Sequence, residues 1–335
     1  MLPPSCSVLQ DFRLEDFKVL ATVERVVSLS RSVFFHPDRI GSAILEWGHH
    51  LRSCPSWDHP CHYFDGTEDS ARWIFTLDVL NHCFWPDPGE PAWTIIYQGE
   101  PYSGYWGLAA SLKRACEQGL PITDPHFLSG ISAADLSGIF SGQGTIPMFE
   151  DRLNNLRETG SIILSELGGD IMSLLHAASG SAVRLVHNIV SHFPSFRDEA
   201  LYRTGVVYFW KRAQIFVSDI FTAFGGKGCG EFHDMERLTA FADYKLPQVL
   251  RELGVISYDS ELARRIDALE YLPAGSEEEV EIRAMTIWAV EQLKKAFGEH
   301  GRELGSPEVD SWLWRLGQSD VFRKHPYHRC RTIYY

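Results

Sequence analysis

Only one stretch of this chain reads as a strand, and that limits the fold more than any other feature. Ala92–Tyr97 (AWTIIY) is β-branched and aromatic. Gln98-Gly99-Glu100-Pro101 can turn it back toward Tyr102-Ser103-Gly104-Tyr105-Trp106, which predicts one small hairpin. Elsewhere the apolar residues recur at helical spacing. They predict helices over 38–52, 68–82, 105–118, 147–165, 181–191, 206–223, 234–242, 247–253, 258–269, 276–298 and 306–317. Three starts are well marked. Ser276 and Glu279 form an S-x-x-E capping box. Ser306-Pro307-Glu308 supplies a cap, a first-turn proline and an acid at the positive helix end. Pro247 suits a first turn and pushes Leu246 out of the α region, so Asp243-Tyr244-Lys245 is expected in a bent junction between two helices. The expected class is mainly α, a compact helical fold with a minor β element.

With 335 residues and no internal repeat or low-complexity linker, the chain suits one large domain or two small ones. Its 31 Lys+Arg stand against 44 Asp+Glu, a formal charge of −13. That balance repels phosphate backbones and argues against a dedicated duplex-DNA binder, while a few local cations can still hold one phosphate. Met1-Leu2-Pro3-Pro4-Ser5-Cys6 offers no basic region followed by an apolar stretch, and no run approaches a membrane span. A cytoplasmic protein without membrane contact is expected, its seven scattered cysteines reduced. Cys54, Cys61, His62, His82 and Cys83 cluster in sequence, but without the tight paired spacing of structural zinc. Buried thiols are the better account, and no metal is expected.

Few residues stand out chemically. Lys211 and Arg212 interrupt the apolar run VVYFWKRAQIFVSDIFTAF (206–224), so one of them is expected to face inward or line a cavity. A snorkelling Lys is the plainer alternative. Asp243, within Phe241-Ala242-Asp243-Tyr244-Lys245, can stabilise a developing cation or activate water, or can simply cap the next helix. Asp310, within Asp310-Ser311-Trp312-Leu313-Trp314-Arg315, can read a flat heterocycle, or belong to an ordinary packed helix. The cationic tail Pro326–Tyr335 can pair with acids on the body or bind a phosphate. Gly225-Gly226-Lys227-Gly228-Cys229-Gly230 fails the phosphate-loop pattern and reads as a mobile loop. Asp38-Arg39 and Asp151-Arg152 read as surface charges.

Longer motifs carry a resemblance. They are LDVLNHCFW (77–85), YSGYW (102–106), PIT (121–123), FPSFRD (193–198), KRAQ (211–214), FADY (241–244), EVEIR (279–283), and His328-Arg329 through Tyr334-Tyr335. Together they resemble the queuosine salvage protein family, the queuosine 5′-phosphate N-glycosylase/hydrolases, from about residue 30 onward. The resemblance implies a fold similar to the helix-hairpin-helix DNA glycosylases. It also implies hydrolysis of queuosine 5′-monophosphate to queuine and ribose 5-phosphate, without a cofactor. By motif match, Asp243 is implied as the catalytic carboxylate and Lys211 as its cationic companion. Phe241 is implied as the base-stacking aromatic, and Asp310 as the acid that reads the deazaguanine edge. A ligand-contacting histidine matches His62 best, with His59 the rival. In animal members the segment reads Asp-Tyr-x-Leu-Trp-Asp. Here Ser311, at a substrate-binding position, replaces the Tyr, and Arg315 replaces the second acid, which shifts weight onto Asp243.

The matched motifs must converge on one pocket, so a single domain over 1–335 is expected. Lys211, Arg212, His328 and Arg329 are the candidate phosphate cations. The partner expected is a small molecule, substrate or product, rather than intact nucleic acid. Two alternatives stand beside this reading: a helix-hairpin-helix DNA glycosylase, and a non-catalytic queuine-binding protein.

Overall fold

The computed structural model describes residues 17–51 and 56–335. Met1–Cys6, Cys54 and the end of the 38–52 helix lie outside them. The helices are α1 (Val19–Leu29), α2 (Ile40–Trp47), α3 (Glu68–Val79), α4 (Gly104–Glu117), α5 (Pro125–Gly130), α6 (Ala133–Ile139) and α7 (Phe149–Glu166). After them come α8 (Met172–Ala178), α9 (Ala182–His192), α10 (Lys211–Ala223), α11 (Lys245–Glu252), α12 (Ser260–Asp267), α13 (Glu277–Glu299) and α14 (Ser306–Leu316). The strands are short: β1 (Val33–Phe35), β2 (Thr94–Tyr97), β3 (Glu100–Ser103), β4 (Glu199–Tyr202), β5 (Gly205–Tyr208) and β6 (Ile256–Tyr258). They form three antiparallel pairs, β1–β6, β2–β3 and β4–β5. The fold is mainly helical, as expected.

α13 is the central post. Val280, Ile282, Ala284, Ile287, Ala289, Val290 and Leu293 are fully buried, and the helix packs against α1, α2, α11 and α14. Glu279, Glu281 and Arg283 are buried on it as well, so apolar periodicity alone cannot describe a helix enclosed on every side. Ser276 caps α13 as predicted, accepting the Glu279 N–H, while the Glu279 carboxylate reaches back to the Gly275 N–H. The predicted hairpin is β2–β3, with Thr94 opposite Ser103 and Tyr97 opposite Glu100.

Several expectations are corrected. The 206–223 helix begins only at Lys211. Gly205–Tyr208 is a strand paired with β4, and Trp210 turns the chain into α10 at φ +49°. The 234–242 helix is absent. Met235–Arg237 is a single 3-10 turn followed by non-helical backbone. Side chains from elsewhere hold that backbone: the Gln214 amide oxygen accepts the Thr239 N–H (2.9 Å), and Asp310 accepts the Phe241 N–H (2.7 Å). Such partners compete with a helical ladder and win locally. α11 starts at Lys245, so Leu246 is helical before Pro247, which a first turn tolerates because its N–H groups are unpartnered anyway. The short helices α5, α6 and α8, the helix α1 and two strand pairs were not anticipated.

Arg152 is not a surface charge but fully buried. It donates to the carbonyls of Leu80, His82 and Cys83. Arg212, 1 % exposed, donates to the carbonyls of Asp78, Val79 and Ser195. These two guanidiniums satisfy the open carbonyls at the end of α3 and fix the Leu80–Cys83 turn. The glycine-rich 225–230 segment closes back on α10, with the Gly226 N–H donating to Phe221 O. No helix among the described residues is long and apolar enough to cross a membrane.

Candidate active site

A cavity of about 420 Å³ opens where five elements meet. The turn after α3 brings Asn81, His82 and Cys83 into its wall, held there by Arg152 and Arg212. Gly104, at φ +58°, bends the chain into α4, so that Tyr105 and Trp106 form another face. α10 contributes Lys211, Ile215, Ser218, Asp219 and Thr222, one stripe at helical spacing. That stripe runs ~16 Å from buried Lys211 to half-buried Thr222. Phe241, Asp243, Tyr244 and Lys245 enter from the segment leading into α11, and Asp310, Ser311, Trp314 and Arg315 from α14.

Asp243 caps a helix and also lines the cavity. Its Oδ1 accepts the Lys245 N–H (2.7 Å) and the Leu246 N–H (2.9 Å), capping α11. Two backbone donors on one oxygen immobilise the carboxylate at the cavity wall. Asp310 Oδ2 accepts the Phe241 N–H (2.7 Å), which ties α14 to the same segment. Burial, reinforced by the charge of Asp243, pushes the Asp310 carboxyl well above the usual carboxylate range. Lys211 is 5 % exposed, its ammonium 3.4 Å from the Asn81 carbonyl. Burial lowers its pKa, and the nearby Asp243 opposes that shift.

A buried ion pair lies behind these groups. Arg283 donates to both oxygens of Asp198, at 2.8 and 2.6 Å. Asp198 Oδ2 also accepts the Lys211 N–H (3.2 Å), and Arg283 Nε donates to Ala242 O (3.2 Å). The guanidinium is sandwiched between the Phe209 and Tyr335 rings, 3.9 and 4.4 Å from their centroids. One pair thus braces the residue before Asp243 and the start of the helix that carries Lys211.

His62 lines the cavity, and His59 is not among its lining residues. The His62 ring stacks on Trp57 with centroids 3.8 Å apart. Nδ1 lies 2.9 Å from the Trp57 carbonyl, so it carries the proton there; Nε2, 2.8 Å from the Tyr105 hydroxyl, then accepts. Burial lowers His62 to about 4, and the buried His328 to about 3. Both stay neutral in the fold but protonate near 6.5 once unfolded. The native state therefore loses stability as pH falls from about 6.5 toward about 4, each histidine contributing up to ~3 kcal/mol. Urea midpoints measured across that range should fall steadily, and a flat profile would contradict these two neutral histidines.

Three of the four candidate phosphate cations turn away. Arg212 is committed to carbonyls. His328 meets the Tyr335 hydroxyl, and Arg329 lies over Trp85 with its Nη1 toward Pro86 O. The tail pairs with the body, Arg331 bonding Asp87 at 2.8 Å. Among the described residues no group of three or more His, Cys, Asp or Glu is placed to hold a metal.

Sequence reading missed two acids. Asp219 lines the cavity, and Asp78 is fully buried beside it with Oδ2 unpartnered. Burial raises Asp78 to about 7 and lifts Asp219 well above its ordinary value. The available signal was an acid seated within an apolar helical stripe, next to Ile74 and Leu77 in one case and Ile215 in the other.

Residues 61–335 match the family model described as queuosine salvage protein. A Sphaerobacter thermophilus protein named queuosine 5′-phosphate N-glycosylase/hydrolase is 47 % identical over 317 residues, spanning 95 % of this chain and 97 % of that protein. The chain belongs to the queuosine salvage protein family. Relatives of the same name from Mus musculus and Nematostella vectensis are 38 % and 36 % identical. They cover 81 % and 84 % of this chain and 83 % and 87 % of their own lengths. This salvage-family cavity collects Lys211, Phe241, Asp243, Asp310, Ser311 and His62 at one place.

Proposed function

We propose that this protein hydrolyses the N-glycosidic bond of queuosine 5′-monophosphate, releasing queuine and ribose 5-phosphate. The observation that carries the reading is the convergence of Lys211, Phe241, Asp243 and Asp310 on one cavity. Breaking a ribosyl C–N bond leaves positive charge on the sugar and sends the bonding pair to the base; water supplies the new oxygen at the anomeric carbon. The Asp243 carboxylate, held by two N–H groups, sits ready to stabilise that cation. Lys211, lining the same cavity, is its cationic companion. Phe241 and the Trp106 and Trp314 rings give the base flat apolar surfaces.

The leaving base is a 7-deazaguanine and lacks the N7 lone pair that acid catalysis on purines uses, so a donor must act elsewhere on the heterocycle. Asp310 fills that role. Its raised pKa keeps a proton on one oxygen while the other accepts from Phe241. Activity that needs protonated Asp310 is lost as pH rises through that raised pKa. Asp310→Asn should lower kcat about 10²-fold and remove this alkaline limb, read from kcat against pH. An unchanged limb in the variant assigns it to another group.

The whole chain is read as one domain, because the cavity draws walls from Ser56 through Tyr335. Its helical scaffold is read as kin to the helix-hairpin-helix DNA glycosylases, which superposition on such an enzyme tests. The −13 charge favours a free mononucleotide over duplex DNA and suits a cytoplasmic salvage enzyme.

A further inference from the structure

Resting on that reading, the cavity also indicates how its nucleotide lies. The deep end is rich in acids. Lys211 interacts there with Asp78, Asp219, Asp243 and Asp310, so its single charge is already complemented. A phosphate placed there would compete with the Asp243 carboxylate for Lys211, while Arg212 beside it is already committed to backbone carbonyls. The other cations lining the cavity stand elsewhere, Lys245 at the start of α11 and Arg315 on α14.

Lys245 is two residues beyond Asp243, on the same wall. Its stem lies across Gly317, where an added Cβ would come within 2.7 Å of Lys245 Cδ and 3.0 Å of Cγ. The absence of a side chain at Gly317 therefore sets the path of the lysine. Its ammonium meets the neutral Gln248 amide oxygen at 3.0 Å and lies 5.2 Å from the Tyr327 ring centroid. Arg315 is half-buried on the wall that carries Asp310 and Ser311. Lys245 thus enters the cavity from the segment that carries Asp243, and Arg315 from the helix that carries Asp310.

We propose that Lys245 and Arg315 form the 5′-phosphate subsite, with Lys211 serving the reacting sugar only. A sugar placed over Asp243 then directs its phosphate toward α11 and α14. Its base lies against Phe241 and Asp310. A guanidinium and an ammonium together suit a phosphate monoester, the first by paired donors and the second as a point charge.

The test compares KM for queuosine 5′-monophosphate with Kd for free queuine in Lys245→Met and Arg315→Gln. Each substitution should raise KM about tenfold or more, the loss of one charge-assisted contact, and leave queuine Kd within about twofold. Lys211→Met should lower kcat with a smaller change in KM. Unchanged KM in both cation variants overturns the subsite, and so does a parallel rise in queuine Kd. If Lys245→Met fails to fold, Lys245→Arg and Lys245→Gln take its place, the first expected to keep the low KM and the second to lose it; equal KM in these two also overturns the proposal. A wild-type protein that turns over the nucleotide beside unaffected variants sinks the placement alone. A wild-type protein without turnover sinks the function beneath it.

Discussion

Asp243→Asn should reduce turnover of queuosine 5′-monophosphate by about 10³-fold or more while the protein melts close to the wild type. Asparagine keeps an oxygen that can accept the Lys245 and Leu246 N–H groups, so the cap on α11 survives. What it loses is the negative charge that the proposed mechanism sets against the sugar. Asp243→Ala removes both, and should add a stability cost of ~1 kcal/mol to the same catalytic loss. The pair of variants separates the observed cap from the proposed catalytic role of one carboxylate. An Asn variant that retains activity makes Asp243 a helix cap and nothing more.

The largest expected stability effect lies behind the cavity. Arg283→Met should destabilise the fold by ~3–5 kcal/mol in urea unfolding, because it leaves Asp198 charged and buried without its partner. The side chains of Arg283 and Asp198 are each 3 % exposed, so water cannot replace the lost contacts. Arg283→Lys should recover little of this. An ammonium cannot span both Asp198 oxygens and also reach the Ala242 carbonyl. Replacing both members, as in Arg283→Met with Asp198→Leu, should return part of the stability but not the activity. The backbone of Lys211 and the segment before Asp243 would still lack their brace. A loss under about 1 kcal/mol in Arg283→Met would contradict this account of the pair.

Much of the fold was legible because α3, α4, α7, α9, α12, α13 and α14 each obey a helical period or carry a marked start. Thr67 and Ser276 cap their helices with the side chains that a sequence reader would choose. The 238–243 segment was not legible, because its backbone partners, Gln214 and Asp310, come from distant parts of the chain. Tyr202, Val206 and Tyr208 had strand character, but the neighbouring apolar helix absorbed it into one period. In the site, Lys211 showed itself as a charge in an apolar run. Asp78 and Asp219 each sit within an apolar helical stripe, but only the packing of α3 against α10 encloses them together. Phosphate recognition was hardest to read. Arg212, His328 and Arg329 look as available in sequence as Lys245, and only the structure shows where each side chain is committed.

Purified protein incubated with queuosine 5′-monophosphate, followed by mass spectrometry, should yield free queuine and ribose 5-phosphate in equal amounts, and Asp243→Asn should yield neither. Binding of queuine without release of either product from the nucleotide would contradict the account and leave a carrier in place of a hydrolase.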